Sequence, residues 1–134
     1  MRLHVTVMGD GPPLVLVHGL FGQGRNWGGI GKALAWRFRV LMPDLRNHGD
    51  SPHADGMSYA AMALDLAGTL HAHGAAGATV LGHSMGGKAA MALALRHPGL
   101  VGRLVVCDIA PRRYAPALRP FVLGMRALPL AEGM

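Results

Sequence analysis

Four times along the chain a short apolar run stops at a glycine or an aspartate: LVLVHG from Leu14, VLMPD from Val40, TVLG from Thr79 and LVVCD from Leu104. Between these runs lie longer segments rich in alanine and leucine, with apolar residues at helical spacing. Strands that are apolar on both faces and alternate with helices belong to sheets whose strands run parallel, because each crossover lays a helix on a sheet face. The expected fold class is therefore α/β, a mostly parallel sheet with helices on both faces. A chain of 134 residues that is 51% hydrophobic has the material for one such domain with a true core.

Strands are expected over 3–8, 14–17, 40–42, 78–82 and 103–108. A helix weakened by glycine is expected over 26–38, with Ile30, Leu34 and Phe38 on one face. Ser58 can cap a helix running to His73, with Met62, Leu66 and Leu70 stacked at i, i+4 and Gly74 placed to end it. A third helix over 86–97 stops at Pro98. After Pro111 the rhythm breaks, and Pro111, Pro116, Pro120 and Pro129 punctuate short apolar stretches. Residues 1–111 thus read as the core domain and 112–134 as the start of a lid.

Several function classes fit the sequence poorly. Thirteen basic residues against seven acidic ones give a net charge of +6. The arginines, however, are spread along the chain with few aromatics between them, which does not make a nucleic-acid stripe. No apolar run approaches the roughly 18 residues of a membrane span, and the first residues lack the apolar stretch of about 7 to 15 that a secretory signal needs. A soluble, cytoplasmic protein is the expectation. The single Cys107 has no partner for a disulfide and no ligand spacing around it, so it reads as a small apolar residue near a strand end.

The stretch LGHSMGGKAA, from Leu81 to Ala90, matches two patterns at once. As a phosphate-binding loop it fails, because Ala89 stands where a magnesium-binding hydroxyl should follow the lysine. A dinucleotide fingerprint fails at GQGRNW, where Trp27 occupies the third glycine position. Read as G-x-S-x-G, the stretch has what a nucleophile elbow needs: an apolar strand before it, a helix after it, and Gly82 and Gly86 two residues either side of Ser84. The Met85 N–H, opening the helix, is then an oxyanion donor.

LVLVHGLFG, PDLRNHGDSP and GHSMGG, in this order, resemble the α/β-hydrolase superfamily, most closely its small bacterial esterases and thioesterases. The following strand ends in DIAP, as theirs does. The resemblance implies that Ser84 is a nucleophile forming an acyl-enzyme. It implies that the second oxyanion donor is a backbone N–H of the loop after Gly19, Phe21 in preference to Leu20. Leu20, Phe21 and His83 are expected to contact substrate. Asp108 is either the triad acid or a structural strand end, since many members carry the acid after a later strand. No histidine follows His97, although the family order is serine, acid, histidine. His18 and His48 are read as hydrogen-bonding their loops together. Asp44, Arg46, His48 and Ser51 are read as loop scaffolding rather than a metal site.

Family members run to about twice this length, so the chain is expected to be an N-terminal portion whose open sheet edge could self-associate. The resulting expectation is a cofactor-free and metal-free serine hydrolase of small carboxylic esters or thioesters. Rival readings are a cofactor-free acyltransferase or perhydrolase, and a non-catalytic α/β scaffold.

Overall fold

Three of the four apolar runs become the centre of one sheet, and the fourth becomes its last described strand. The computed structural model describes residues 1–114 together with Pro120, Leu123, Arg126 and Ala127. Strands β1 (Val5–Met8), β2 (Pro13–Val17), β3 (Arg39–Pro43), β4 (Ala78–His83) and β5 (Val101–Cys107) lie in the order β1-β3-β2-β4-β5. β1 runs antiparallel to β3, and the remaining pairings are parallel. Most of the lid expected from residue 112 onward lies outside the described residues.

Register decides which side chains share a face. Val15 lies opposite Leu41 and Val80, and these three, with Val17, join the larger core, formed with helices α2 (Tyr59–Ala72) and α3 (Met85–Arg96). The alternate residues Leu14, Leu16, Val40 and Met42 form a second cluster with Trp27, Leu34 and Phe38 around helix α1 (Gly28–Leu34). Burial on both faces is why β2 and β3 are apolar at successive positions instead of alternating with polar residues. β5 is different: Leu104 and Val105 are exposed, and β5 is the last strand of the described sheet.

The helix expected over 26–38 is shorter and broken. A 3₁₀ turn (Gly24–Trp27) precedes α1, and the helix ends at Leu34, whose carbonyl accepts from the Phe38 N–H. Gly28, Gly29 and Gly31 lower helix propensity by roughly 1 kcal/mol each relative to alanine, enough to shorten a marginal helix. Leu34 and Phe38 pack inward as expected, but Ile30 is half-exposed and lines a cavity instead. β5 also begins two residues earlier than expected. Its register shifts between Ala78 and Thr79, with Val101 and Arg103 as their partners, so Gly102 is the inserted residue of a bulge.

α2 follows its sequence signals. The Ser58 Oγ accepts from the Ala61 N–H at 3.0 Å, Gly74 ends the helix with φ of 58°, and Met62, Leu66 and Leu70 are buried. Asp65 is buried on the same helix, where it meets Arg46 at 2.7 and 3.0 Å and the α-ammonium of Met1 at 2.9 Å. Burial opposes its charge, but the Arg46 hydrogen bonds and these two cations hold the carboxyl below its usual value.

α2 offers an internal control for the core. Leu66 is fully buried, and Leu64, two residues away, is 61% exposed. Leu66→Ala is expected to cost about 2–5 kcal/mol and Leu64→Ala less than about 0.5, read from urea midpoints at constant m-value. Equal costs would contradict this assignment of faces.

Candidate active site

Between β4 and α3 stands a single residue, Ser84, with φ of 53° and ψ of −120°. A side chain in that region is strained by about 1–3 kcal/mol and persists only where its surroundings over-determine it. They do so here. The Ser84 N–H donates to the Cys107 carbonyl at 3.0 Å, tying the turn to the end of β5. The Ser84 carbonyl accepts from the Gly87 and Lys88 N–H groups at 2.8 and 3.2 Å, closing the first turn of α3. A Cβ on Gly82 would overlap the Gly86 backbone, and one on Gly86 would overlap the Val17 and His18 carbonyls. The two flanking glycines are therefore steric requirements.

This geometry leaves the Met85 N–H at the head of a twelve-residue helix, where no intrahelical acceptor exists and the helix dipole is positive. Ser84 borders a cavity of about 460 Å³ lined also by Leu20, Phe21, Trp27, Ile30 and His83. The expected contact residues Leu20, Phe21 and His83 thus all share a wall with Ser84. Among the described residues no side chain hydrogen-bonds the Ser84 Oγ.

Asp108 follows β5 directly, with φ of 58°. Its side chain is 90% exposed, with Oδ2 4.0 Å from the His83 Nε2. An exposed pair at that distance is worth little. The structure brings Asp108 to the same edge of the sheet as Ser84 without linking the two.

The loop after β2 carries both backbone N–H groups named as candidate second oxyanion donors. The Phe21 N–H, preferred as the second oxyanion donor, already donates to the His48 Nε2 at 3.1 Å. The Leu20 N–H makes no hydrogen bond among the described residues.

The two loop histidines are connectors, as the sequence implied. The His18 Nδ1 lies 2.7 Å from the Gly19 carbonyl and its Nε2 accepts from the Leu45 N–H at 3.0 Å, so the ring is neutral with its proton on Nδ1. Burial, with a smaller contribution from the neighbouring His48, pushes the His18 pKa down against the pull of the Gly19 carbonyl.

The 44–51 loop is likewise scaffolding. Asp44, buried, accepts from the Gly24 N–H at 2.6 Å and the Asp50 N–H at 2.8 Å, and its backbone carbonyl accepts from the Ser51 hydroxyl at 2.5 Å. Burial works against the Asp44 charge, but those N–H groups and His4 keep its pKa below the ordinary value. His4, Asp44 and Asp50 each bring one candidate metal-ligand atom within 4.8 Å of the others. The Asp44 carboxylate already accepts from two backbone N–H groups and contacts His4 at 3.2 Å.

The profile of the alpha/beta hydrolase fold matches residues 12–131. The chain belongs to the α/β-hydrolase fold family. It is 46% identical over 125 residues to the mouse protein named sn-1-specific diacylglycerol lipase ABHD11, covering 90% of this chain and 41% of that one. It is 48% identical over 102 residues to Esterase YbfF of Escherichia coli K12, covering 76% and 40%. A solved marine microorganism esterase superposes with a TM-score of 0.90 at 40% identity, covering 95% of this chain and 51% of that one. The chain thus spans between two fifths and half the length of these α/β-hydrolase relatives.

Sequence reasoning missed three contributors to the site. Ile30 was assigned to a helix stripe and instead borders the cavity; the Cys107 carbonyl anchors the elbow; the Asp65–Arg46 pair fixes the 44–48 loop to α2. Only the last left a signal, since an aspartate three residues after Met62 falls within the apolar stripe of α2.

The neutral His18 sets a pH dependence. Its folded pKa lies below that of the unfolded chain, about 6.5. Its contribution is therefore full above that value and is lost as pH falls toward the folded pKa, whereas Asp44 and Asp65 lose theirs only in the carboxylate range. Urea midpoints between pH 8 and pH 5 should fall in the wild type and fall less in His18→Gln, which cannot titrate. Identical slopes would show that His18 does not carry this dependence.

Proposed function

We propose that this protein is a serine hydrolase that cleaves carboxylic ester or thioester bonds of small acyl substrates through an acyl-enzyme on Ser84. The observation that carries the reading is the strained Ser84, held between glycines at the N-terminus of α3 and opening on an apolar-walled cavity. The names of the relatives, a lipase and esterases, agree in reaction class.

The chemistry follows from the positions. The Ser84 Oγ attacks the acyl carbonyl, whose oxygen becomes an oxyanion facing the Met85 N–H and, across the cavity mouth, the Leu20 N–H. One such donor is worth on the order of 10²–10³ in rate. Collapse breaks the bond to the alcohol or thiol, which leaves with the serine proton relayed through the base; water then adds to the ester on Ser84, its proton returns to the Ser84 Oγ, and the carboxylic acid is released. No cofactor enters these steps. Leu20, Phe21, Ile30 and Trp27 surround the acyl group, and His83 lines the same cavity. Asp108, at the end of the strand that anchors the elbow, is the acid that orients the base. The family order of serine, acid and histidine puts that base after Asp108, and these 134 residues hold no histidine beyond His97.

A fluorophosphonate probe, applied to protein that includes the base-bearing segment after Asp108 and followed by peptide mass spectrometry, tests the assignment. Added mass confined to the peptide containing Ser84, absent from Ser84→Ala, is the expected result, along with loss of ester hydrolysis and an unchanged urea midpoint. Hydrolysis that survives Ser84→Ala would overturn it.

A further inference from the structure

The oxyanion loop is a tight turn closed by the Gly22 N–H on the Gly19 carbonyl at 3.0 Å, with Leu20 and Phe21 at its tip. Phe21 is 52% exposed and has φ of 64°. An aromatic residue seldom adopts a left-handed backbone without a reason, and packing is a weak one for a side chain so exposed. The backbone is held instead. The His48 Nδ1 lies 2.8 Å from the Arg46 carbonyl, which can only accept, so the proton sits on Nδ1 and Nε2 keeps the lone pair that receives the Phe21 N–H.

His48 itself is well anchored. It is buried, its ring centroid is 5.1 Å from that of His18, and Arg46 in the same loop is clamped to Asp65 of α2. Two points of the turn are therefore tied to the 45–48 loop: Gly19 through His18 and Leu45, and Phe21 through His48. Leu20, between them, shares the cavity with Ser84.

We propose that His48 is a positioning residue of the acyl-transfer site: its neutral ring holds the Phe21 backbone in the left-handed conformation and so fixes the neighbouring Leu20 N–H as an oxyanion donor. The proposal rests on the serine-hydrolase reading above. His48 touches no substrate; it acts through the backbone. Because an oxyanion donor works mainly in the transition state, its loss should appear in kcat and leave KM nearly unchanged.

Two substitutions separate the functions of the ring. His48→Gln can place an amide oxygen where Nε2 stands and accept from Phe21. His48→Asn reaches only to the position of Nδ1, keeping the contact to the Arg46 carbonyl and losing the one to Phe21. His48→Asn is expected to lower kcat on p-nitrophenyl butyrate, and the rate of fluorophosphonate labelling at Ser84, on the order of 10²-fold with KM within about twofold. His48→Gln should recover at least about tenfold of that loss. Hydrogen exchange on the wild type should show the Phe21 N–H protected.

Equal rates in wild type and His48→Asn, or equal losses in the two variants at matched urea midpoints, would overturn the proposal while leaving the hydrolase reading intact. If His48→Asn fails to fold, the Phe21 exchange rate decides, and an unprotected amide overturns the proposal. A wild type that includes the base-bearing segment and whose Ser84 the probe does not modify removes both readings.

Discussion

Three backbones meet at one point with no room for a Cβ: the end of β2, the end of β4 and the first turn of α3. A side-chain atom on Gly86 would occupy the same space as the Val17 and His18 carbonyls, and one on Gly82 that of Gly86 itself. This contact dictates how steeply α3 leaves the sheet. It forces the whole reversal into Ser84, which takes an otherwise unfavourable φ, and sets the N-terminus of α3 beside the loop after β2. A conformational cost of about 1–3 kcal/mol at Ser84 is small beside the burial of Val15, Val17, Val80, Ala89 and Ala90 on which the crossing rests. The strain is tolerated because packing elsewhere holds it in place.

A polar network does for the loops what the glycines do for the elbow. Asp65 would be costly as an isolated buried charge, so its value lies in being paired twice over with Arg46, whose planar fork fixes the 44–48 loop in angle as well as distance. Two neutral imidazoles join that loop to the turn after β2, His48 from the loop and His18 from the end of β2. A neutral imidazole suits this work because it donates from one nitrogen and accepts at the other, joining a carbonyl to an N–H with no charge to desolvate. His18 and His48 both use this arrangement, with opposite ends toward the turn.

How much of this was readable from the residues depended on whether a local rule was in force. The apolar runs ending in Gly or Asp located β2, β3 and β4 because strands buried on both faces have no other pattern, and Ser58 with Gly74 bracketed α2 because capping is a local hydrogen bond and a local φ. The 26–38 segment was misjudged where three glycines tip a weak propensity, and Ile30 fell on the apparent apolar face although the cavity lies there. Gly102 marks a bulge whose reason, the carbonyl of Gly77 pressed against it, is a tertiary contact invisible along the chain. At the site, G-x-S-x-G located the sharp turn at Ser84 and the helix start at Met85 because the elbow is a local motif. The choice between Phe21 and Leu20 was not local, since His48, which engages the Phe21 N–H, is 27 residues away.

That last distinction bears on how the site divides its labour. Of two consecutive amides at the tip of one turn, only one can serve the substrate if the other is to keep the turn rigid. An amide left free to bind an oxyanion is also free to swing, and a donor misplaced by about 1 Å loses much of its effect. Tethering Phe21 to a buried, doubly bonded imidazole removes that freedom from its neighbour at no cost in charge. The same logic applies across the cavity, where the Ser84 N–H is given to Cys107 and its carbonyl to Gly87 and Lys88, leaving the next amide, that of Met85, fixed in place without an intrahelical acceptor. On the proposed mechanism, in both walls one residue's hydrogen bonds hold the backbone still so that the adjacent N–H faces the chemistry.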